Sequence, residues 1–223
     1  MEDPNNKQAI QLNHALVDEL KEKGIIQTPR VEAAFRAVLR HHFVPGTPLE
    51  QVYSDRVIAA KKDEEGRWLS SSSQPAIMAI MLEQLGLEPG QRVLEIGAGT
   101  GYNAALMAHI LGEAGQVVTV EIDQDLTEAA RDHLAAAGYE RVRAVCADGG
   151  YGYPEAAPYD RIILTVASGD LTPAWLEQLK PGGRIVLPLT LRGSMKSIAF
   201  ERADDHLVSL STKDCGFIPL RGD

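Results

Sequence analysis

The run Val93-Leu94-Glu95-Ile96-Gly97-Ala98-Gly99-Thr100-Gly101 constrains the fold more than any other stretch of the chain. An apolar strand pattern runs directly into glycines at alternate positions, and helical apolar spacing follows from Tyr102 to Leu111. Glycine at these points lets the backbone turn sharply and approach a ligand that any Cβ would push away. Strand, glycine loop and helix in this order build a nucleotide-like binding corner at the carboxyl end of a parallel sheet. The G-x-G-x-G spacing differs from the G-x-G-x-x-G of dinucleotide folds. With an acid, Glu95, just before the first glycine, it points to S-adenosylmethionine rather than NAD. A tight turn with no ligand is the plain alternative. The loop candidates for cofactor contact are Glu95, Gly97, Ala98, Gly99, Thr100 and Gly101.

From Arg92 onward, strand and helix patterns alternate. Strands are expected at 92–96, 116–120, 142–146, 161–166 and 184–189, with helices at 102–111, 126–137 and 173–179. A turn at Pro181-Gly182-Gly183 should open the strand at 184. Segments 197–202 and 207–211 read as a closing antiparallel pair. This alternation predicts an α/β fold, a Rossmann-like doubly wound methyltransferase sheet with helices on both faces. Ahead of it lie helical patterns at 7–23, stopped by Gly24, and at 29–39, opened by Thr28 as N-cap and Pro29 at the first helical position. Between Val52 and Leu69 the pattern is mixed. The charged cluster 61–67 there reads as a solvated loop or hairpin tip. Residues 1–75 are therefore expected to form an N-terminal helical and substrate-loop extension. Residues 76–223 form the methyltransferase domain, in one structural unit with it.

Composition narrows the partners. Against 22 Lys+Arg the chain carries 31 Asp+Glu, a net charge of −9. A diffuse acid excess argues against nucleic acid or anionic membrane as the main partner. No apolar run is long enough to span a bilayer. The polar, acidic start Met1–Asn6 does not read as a secretory signal. The two cysteines, Cys146 and Cys215, sit in apolar contexts and read as reduced, buried thiols of a cytoplasmic protein. A monomer is expected. The six histidines show no metal-ligand spacing, so no metal is expected; His41-His42 reads as a helix-end capping or packing pair.

Glu121 ends the second strand of the alternating region, where an acid can accept both hydroxyls of a ribose; a helix-start carboxylate is the alternative. Asp148 ends the third strand and could bond an adenine amino group, or serve only as a turn aspartate. Ile122 and Gly149, beside these acids, complete the cofactor set. Asp123 and Asp125 read as helix-capping or surface acids. Methyl transfer from a sulfonium needs reactants held in line and water excluded, with little acid–base machinery. A carboxylate acceptor is ionised near pH 7 without help, so the absence of a His/Asp dyad suits carboxyl methylation. The serine run 70–73, followed by Gln74-Pro75, could hold a substrate carboxylate at the start of the next helix, or one serine could simply cap it.

Together these residues resemble the protein-L-isoaspartate O-methyltransferase family over nearly the whole chain. The resemblance rests on LKEKGIIQT (20–28), Ser73-Gln74-Pro75, 95–101, DGGYGYPEAAPYD (148–160), QLKPGGRIVLP (178–188) and Phe217-Ile218-Pro219-Leu220. It implies S-adenosylmethionine as methyl donor, S-adenosylhomocysteine as product, and a peptide or protein bearing aspartate or isoaspartate as acceptor. It places Ser73 as the active-site serine of the family's T-I-S-x-P motif, with Ser70, Ser71 and Ser72 against cofactor and substrate. Asp55, Val57, Ser72, Ser73, Val166 and Ala167 become the acceptor-side set.

The departures fall on that side. Asp55 is followed by Arg56-Val57-Ile58-Ala59-Ala60 and the charged loop, T-I-S is replaced by Ser71-Ser72-Ser73, and Thr165–Asp170 replaces an alanine-rich segment. With SIAFER (197–202) and CGFIPLRG (215–222), the chain is most similar to family homologues associated with ribosomally made, modified peptides. Those methylate an ordinary aspartate of a constrained precursor, giving aspartimide or isoaspartate. General isoaspartate repair, and a cofactor-binding module without transfer, are the rival expectations. Some of those homologues carry a further C-terminal domain, so a chain stopping near Asp223 is expected to be a short form.

Overall fold

The computed structural model describes residues 4–222. The start Met1–Asp3 and the end Asp223, on which the expectations about a signal and a short form partly fall, lie outside the described residues. Helix α1 (Pro4–Glu22) is followed by α2 (Pro29–Ala37), α3 (Leu49–Val52), strand β1 (Ile58–Lys62) and strand β2 (Trp68–Ser72). Then come α4 (Pro75–Leu85), β3 (Arg92–Ile96), α5 (Tyr102–Leu111), β4 (Gln116–Glu121), α6 (Gln124–Ala136) and β5 (Arg143–Cys146). The chain closes with β6 (Tyr159–Leu164), α7 (Pro173–Gln178), β7 (Leu179–Leu191), β8 (Ser194–Arg202) and β9 (Leu207–Asp214).

Seven strands form one sheet in the order β5-β4-β3-β6-β7-β8-β9. It is parallel through β7, and β8 and β9 add antiparallel to its edge. Strand order reverses at β3, with β4 on one side and β6 on the other. A crevice therefore opens beyond the carboxyl ends of these strands, where open α/β sheets bind ligands. The parallel strands are apolar on both faces, as a doubly covered sheet requires. Val93, Val117, Ile163 and Val186 pack against the helical side with residues of α1, α2, α4 and α5. Leu94, Ile96, Ile162, Leu164 and Ile185 pack on the other side around Trp175. The N-terminal helices thus share a core with the sheet. Asn13, buried in α1, fixes them by donating to the carbonyls of Phe35 (2.9 Å) and Arg36 (3.0 Å).

Thr28 caps α2 as its sequence position implies, its side chain accepting from Val31 N–H. Several expectations need correction. The charged cluster is indeed a hairpin tip, but its arms are strands: β1 and β2 pair antiparallel, so the serine run is largely β-strand. The Pro181–Gly183 turn does not open a new strand but bulges out of β7. While β6 advances from Tyr159 to Arg161, β7 advances from Leu179 to Arg184. Strand β6 also ends at Leu164, leaving Thr165 and Val166 at the crevice. Both cysteines are free but half-buried rather than buried.

Candidate active site

The glycine loop leaves β3 with Gly97 and Gly99 in the left-handed region, φ +98° and +52°. Neighbours crowd both. A Cβ on Gly97 would lie 2.7 Å from Thr165 Oγ1, and one on Gly99 would lie 3.2 Å from the Ser71 carbonyl. A side chain is strained at both positions by backbone conformation, and at Gly97 it is excluded by space as well. The second contact also brings the serine strand β2 directly onto the loop. Between them lies a cavity of about 680 Å³, a size suited to a small cofactor and part of a substrate.

Of the sequence candidates, Gly97, Ala98, Gly99, Thr100, Glu121, Ile122 and Gly149 line this cavity with Ser70, Ser71, Ser72 and Ser73. Val57 and Val166 line it as well. Glu121, buried at the end of β4, accepts from Gly99 N–H (3.0 Å) and Ile122 N–H (3.0 Å). A carboxylate has about four acceptor positions, so these bonds leave capacity for hydroxyl donors. Helix α5 begins beside the loop, and Asn103 in its first turn lines the cavity. The Asn103 Oδ1 is buried without a hydrogen-bond partner among the described residues. A glycine cradle, helix-start N–H groups for a carboxylate, an unpaired acceptor and a buried acid together fit an amino-acid nucleoside such as S-adenosylmethionine.

Five candidates are placed otherwise. Glu95 does not line the cavity. It is completely buried and accepts from Asn103 Nδ2 (2.7 Å) and Thr119 Oγ1 (2.6 Å), clamping β3 to β4 and α5. Gly101 packs against Leu134 and Ala130 of α6. Asp148 accepts from Gly150 N–H (2.8 Å), the turn role, and Gly222 lies so close that a Cβ there would be 2.4 Å from the carboxylate. Asp55 stands behind the serines: it accepts from Gln74 Nε2 (2.9 Å) and Ala76 N–H (2.8 Å). Asp55, not a serine, thereby caps α4, since Gln74 at the N-cap makes no side-chain cap bond. Ala167 holds the C-terminal segment instead, its N–H donating to the Ile218 carbonyl and its carbonyl accepting from Leu220 N–H. Of the histidine pair, His41 packs by Nδ1 on the Tyr53 hydroxyl at 2.7 Å.

Burial pushes the Glu95 carboxyl from its ordinary 4.5 up to about 7, the two hydrogen bonds opposing this only in part. The folded chain therefore holds this proton to higher pH than the unfolded chain does. The Glu95 contribution to stability is complete below about pH 4.5 and is lost as pH rises to about 7. Relative to Glu95→Gln, the wild type should lose about 3 kcal/mol across that window. Urea unfolding of both proteins at several pH values checks this. A difference independent of pH would contradict it.

The residue that sequence reasoning misses is Arg40. It follows α2 in a short 3-10 turn and is buried, 1% exposed. Its guanidinium donates to the Ser72 hydroxyl (3.3 Å), to the carbonyls of Ser72 (3.1 Å) and Ser73 (2.9 Å), and to those of Val52 (2.9 Å), Ser54 (3.5 Å) and Arg56 (3.1 Å). It knots the serine segment to the chain before β1. Residues 214–221 supply a second missed wall, with Arg221 beside Glu121. The stretch CGFIPLRG (215–222), which includes Arg221, is its available signal.

The family model "Protein-L-isoaspartate(D-aspartate) O-methyltransferase (PCMT)" matches residues 11–223. The chain belongs to the protein-L-isoaspartate O-methyltransferase family. A Methanopyrus kandleri protein-L-isoaspartate O-methyltransferase is 39% identical over 93% of this chain and 90% of its own length. One from Thermotoga maritima is 41% identical over 92% of this chain, which spans 64% of that relative. A solved protein-L-isoaspartate O-methyltransferase superposes with a TM-score of 0.86 at 39% identity, covering 94% of this chain and 66% of that one. A Plasmodium falciparum structure, described as a complex with S-adenosyl-L-homocysteine, shares the fold at a TM-score of 0.82 and 18% identity, covering 94% of this chain and 98% of that one. Among the described residues, no helix is long and apolar enough to cross a membrane.

Proposed function

We propose that the chain is an S-adenosylmethionine-dependent carboxyl O-methyltransferase acting on isoaspartyl residues of peptides or proteins. The observation that carries this reading is that one cavity joins the Gly97–Thr100 loop and Glu121 to the serine segment Ser70–Ser73, in a member of this family. When bound, the cofactor supplies a methyl group already activated on a sulfonium. Glu121 would hold the ribose, the start of α5 the amino-acid end, and Ile122 and Gly149 the base. An acceptor carboxylate is ionised at neutral pH, so the protein need not remove a proton. Its work is to hold the carboxylate in line and exclude water. Ser73 suits the holding role, because it lines the cavity, Arg40 fixes its carbonyl, and its hydroxyl has no partner among the described residues.

Ser73→Ala should lower kcat on the order of 10- to 100-fold while leaving S-adenosylhomocysteine affinity near wild type. Steady-state methyl transfer and calorimetry separate the two effects. Unchanged kcat would remove Ser73 from the acceptor site.

A second reading, methylation of an ordinary aspartate in a constrained precursor peptide, is favoured by the hairpin mouth. Val57 and Trp68 line the cavity there and are 43% and 41% exposed, an apolar rim able to receive a bulky acceptor. Parallel assays with a linear isoaspartyl peptide and a cyclised aspartyl peptide separate the two. Turnover of the first alone supports repair; turnover of the second alone supports precursor modification. Cofactor binding with neither would indicate a binding module.

A further inference from the structure

Asp123 occupies the N-cap of α6, yet its side chain makes no cap hydrogen bond. That is unusual use of the position, because a carboxylate there ordinarily accepts from a free N–H of the first helical turn. The carboxylate is instead turned to two cations from distant parts of the chain. Arg221 Nη2 donates to Oδ2 at 2.6 Å, and Lys61 Nζ lies 3.4 Å from the same oxygen. Lys61 also pairs with Asp125 at 2.8 Å. The cations belong to two units that line the cavity, the hairpin through Val57 and β2 and the C-terminal segment through residues 214–221. Lys61 lies in β1, whose partner β2 carries the serines. Arg221 ends the segment 215–221, which crosses the carboxyl edge of the sheet from Met195 past Ala167 to Asp123. Among the described residues the other bonds on that segment include Cys215 N–H on the Met195 carbonyl, Ala167 with Ile218 and Leu220, and Phe217 N–H on Met195 Sδ.

We propose that Asp123 is a positioning residue that fastens the hairpin and the C-terminal segment together over the bound cofactor, and so sets how fast the cofactor leaves. The proposal rests on the reading of the cavity as an S-adenosylmethionine site. Two ion pairs on one carboxylate, partly shielded and joining separate elements, form a network, the arrangement in which such pairs contribute measurably. Breaking the node releases Arg221 and leaves Lys61 only its Asp125 pair, so both elements lose a tie at once. Removing one cation frees only one of them.

The test uses the full chain with S-adenosylhomocysteine as probe. Its dissociation rate is measured by stopped flow, and amide exchange of residues 214–221 is followed in the free protein. Asp123→Asn should speed dissociation on the order of tenfold, Lys61→Ala and Arg221→Ala less, and Arg221→Lys should recover part of the loss. Exchange at Phe217 and Leu220 should quicken in D123N and R221A without any ligand. Raising salt from about 0.05 M to about 0.5 M should speed dissociation from the wild type but not from D123N. Asp125→Asn, also in the first turn of α6, removes a similar helix-end charge but keeps the Arg221 pair. It should affect dissociation less than D123N. Should D123N fail to fold, the Lys61→Ala/Arg221→Ala double variant carries the same expectation. Unchanged dissociation and exchange in these variants would overturn the proposal while leaving the site assignment standing. Failure of the wild type to bind S-adenosylhomocysteine would overturn the site assignment, and this proposal with it.

Discussion

Arg40→Met should cost the protein about 3 kcal/mol or more of stability and abolish methyl transfer. The methionine keeps most of the side-chain volume, so packing is largely preserved and the lost donors are what is tested. The carbonyls of Val52, Ser54, Arg56, Ser72 and Ser73 would all lose the same partner. Each buried acceptor left unpaired costs about 1–3 kcal/mol unless the segment moves to water. Moving is the cheaper course, and it displaces the Ser70–Ser73 segment from the glycine loop. Burial lowers the Arg40 pKa below its ordinary value, and Tyr102, Asp55 and Tyr53 oppose this only through space, with no carboxylate hydrogen-bonded to it among the described residues. The carbonyl cage supplies its hydrogen-bond acceptors. Urea unfolding and steady-state methyl transfer on R40M check both halves. Wild-type stability would show that the cage is incidental.

Glu121→Ala should weaken S-adenosylhomocysteine binding by about 1.5–3 kcal/mol, the range for hydrogen bonds to a charged group, or roughly 10- to 150-fold in Kd. Two effects combine. Donors of the ligand lose their acceptor, and Gly99 N–H and Ile122 N–H lose theirs, which loosens the loop that cradles it. Glu121→Gln should fall between, because the amide oxygen still accepts one set of bonds. Calorimetry on both variants measures this. Unchanged affinity in E121A would remove Glu121 from the cofactor site.

What can be read from sequence divides along the cavity. The cofactor half is local: strand, glycine loop and helix are consecutive, and Glu121 follows from the length of one helix and one strand. Even there, the motif assigns Glu95 and Gly101 to the ligand when they serve packing, because a motif does not reveal which side of the backbone each residue faces. The acceptor half is non-local. Arg40 reaches segments from Val52 to Ser73, and no periodicity marks an arginine whose partners are carbonyls. Strand β2 reads Trp68-Leu69-Ser70-Ser71-Ser72, with serines toward both faces, so the alternation that reveals a strand is missing. The neighbourhood of Asp55 points to substrate, but its bonds cap α4. In β7, Pro181–Gly183 carries strong turn signals, and pairing with β6 resumes beyond it at Arg184.

The central claim is that this cavity carries a methyl group from S-adenosylmethionine to a peptide carboxyl. The most direct measurement supplies isotopically labelled S-adenosylmethionine to the purified chain with an isoaspartyl peptide, its cyclised aspartyl counterpart and the ordinary linear aspartyl peptide. The expected result is label on the isoaspartyl peptide as a base-labile ester, reduced sharply by Ser73→Ala and R40M. No base-labile label on any of the three peptides, from a chain that binds S-adenosylhomocysteine, would contradict the account.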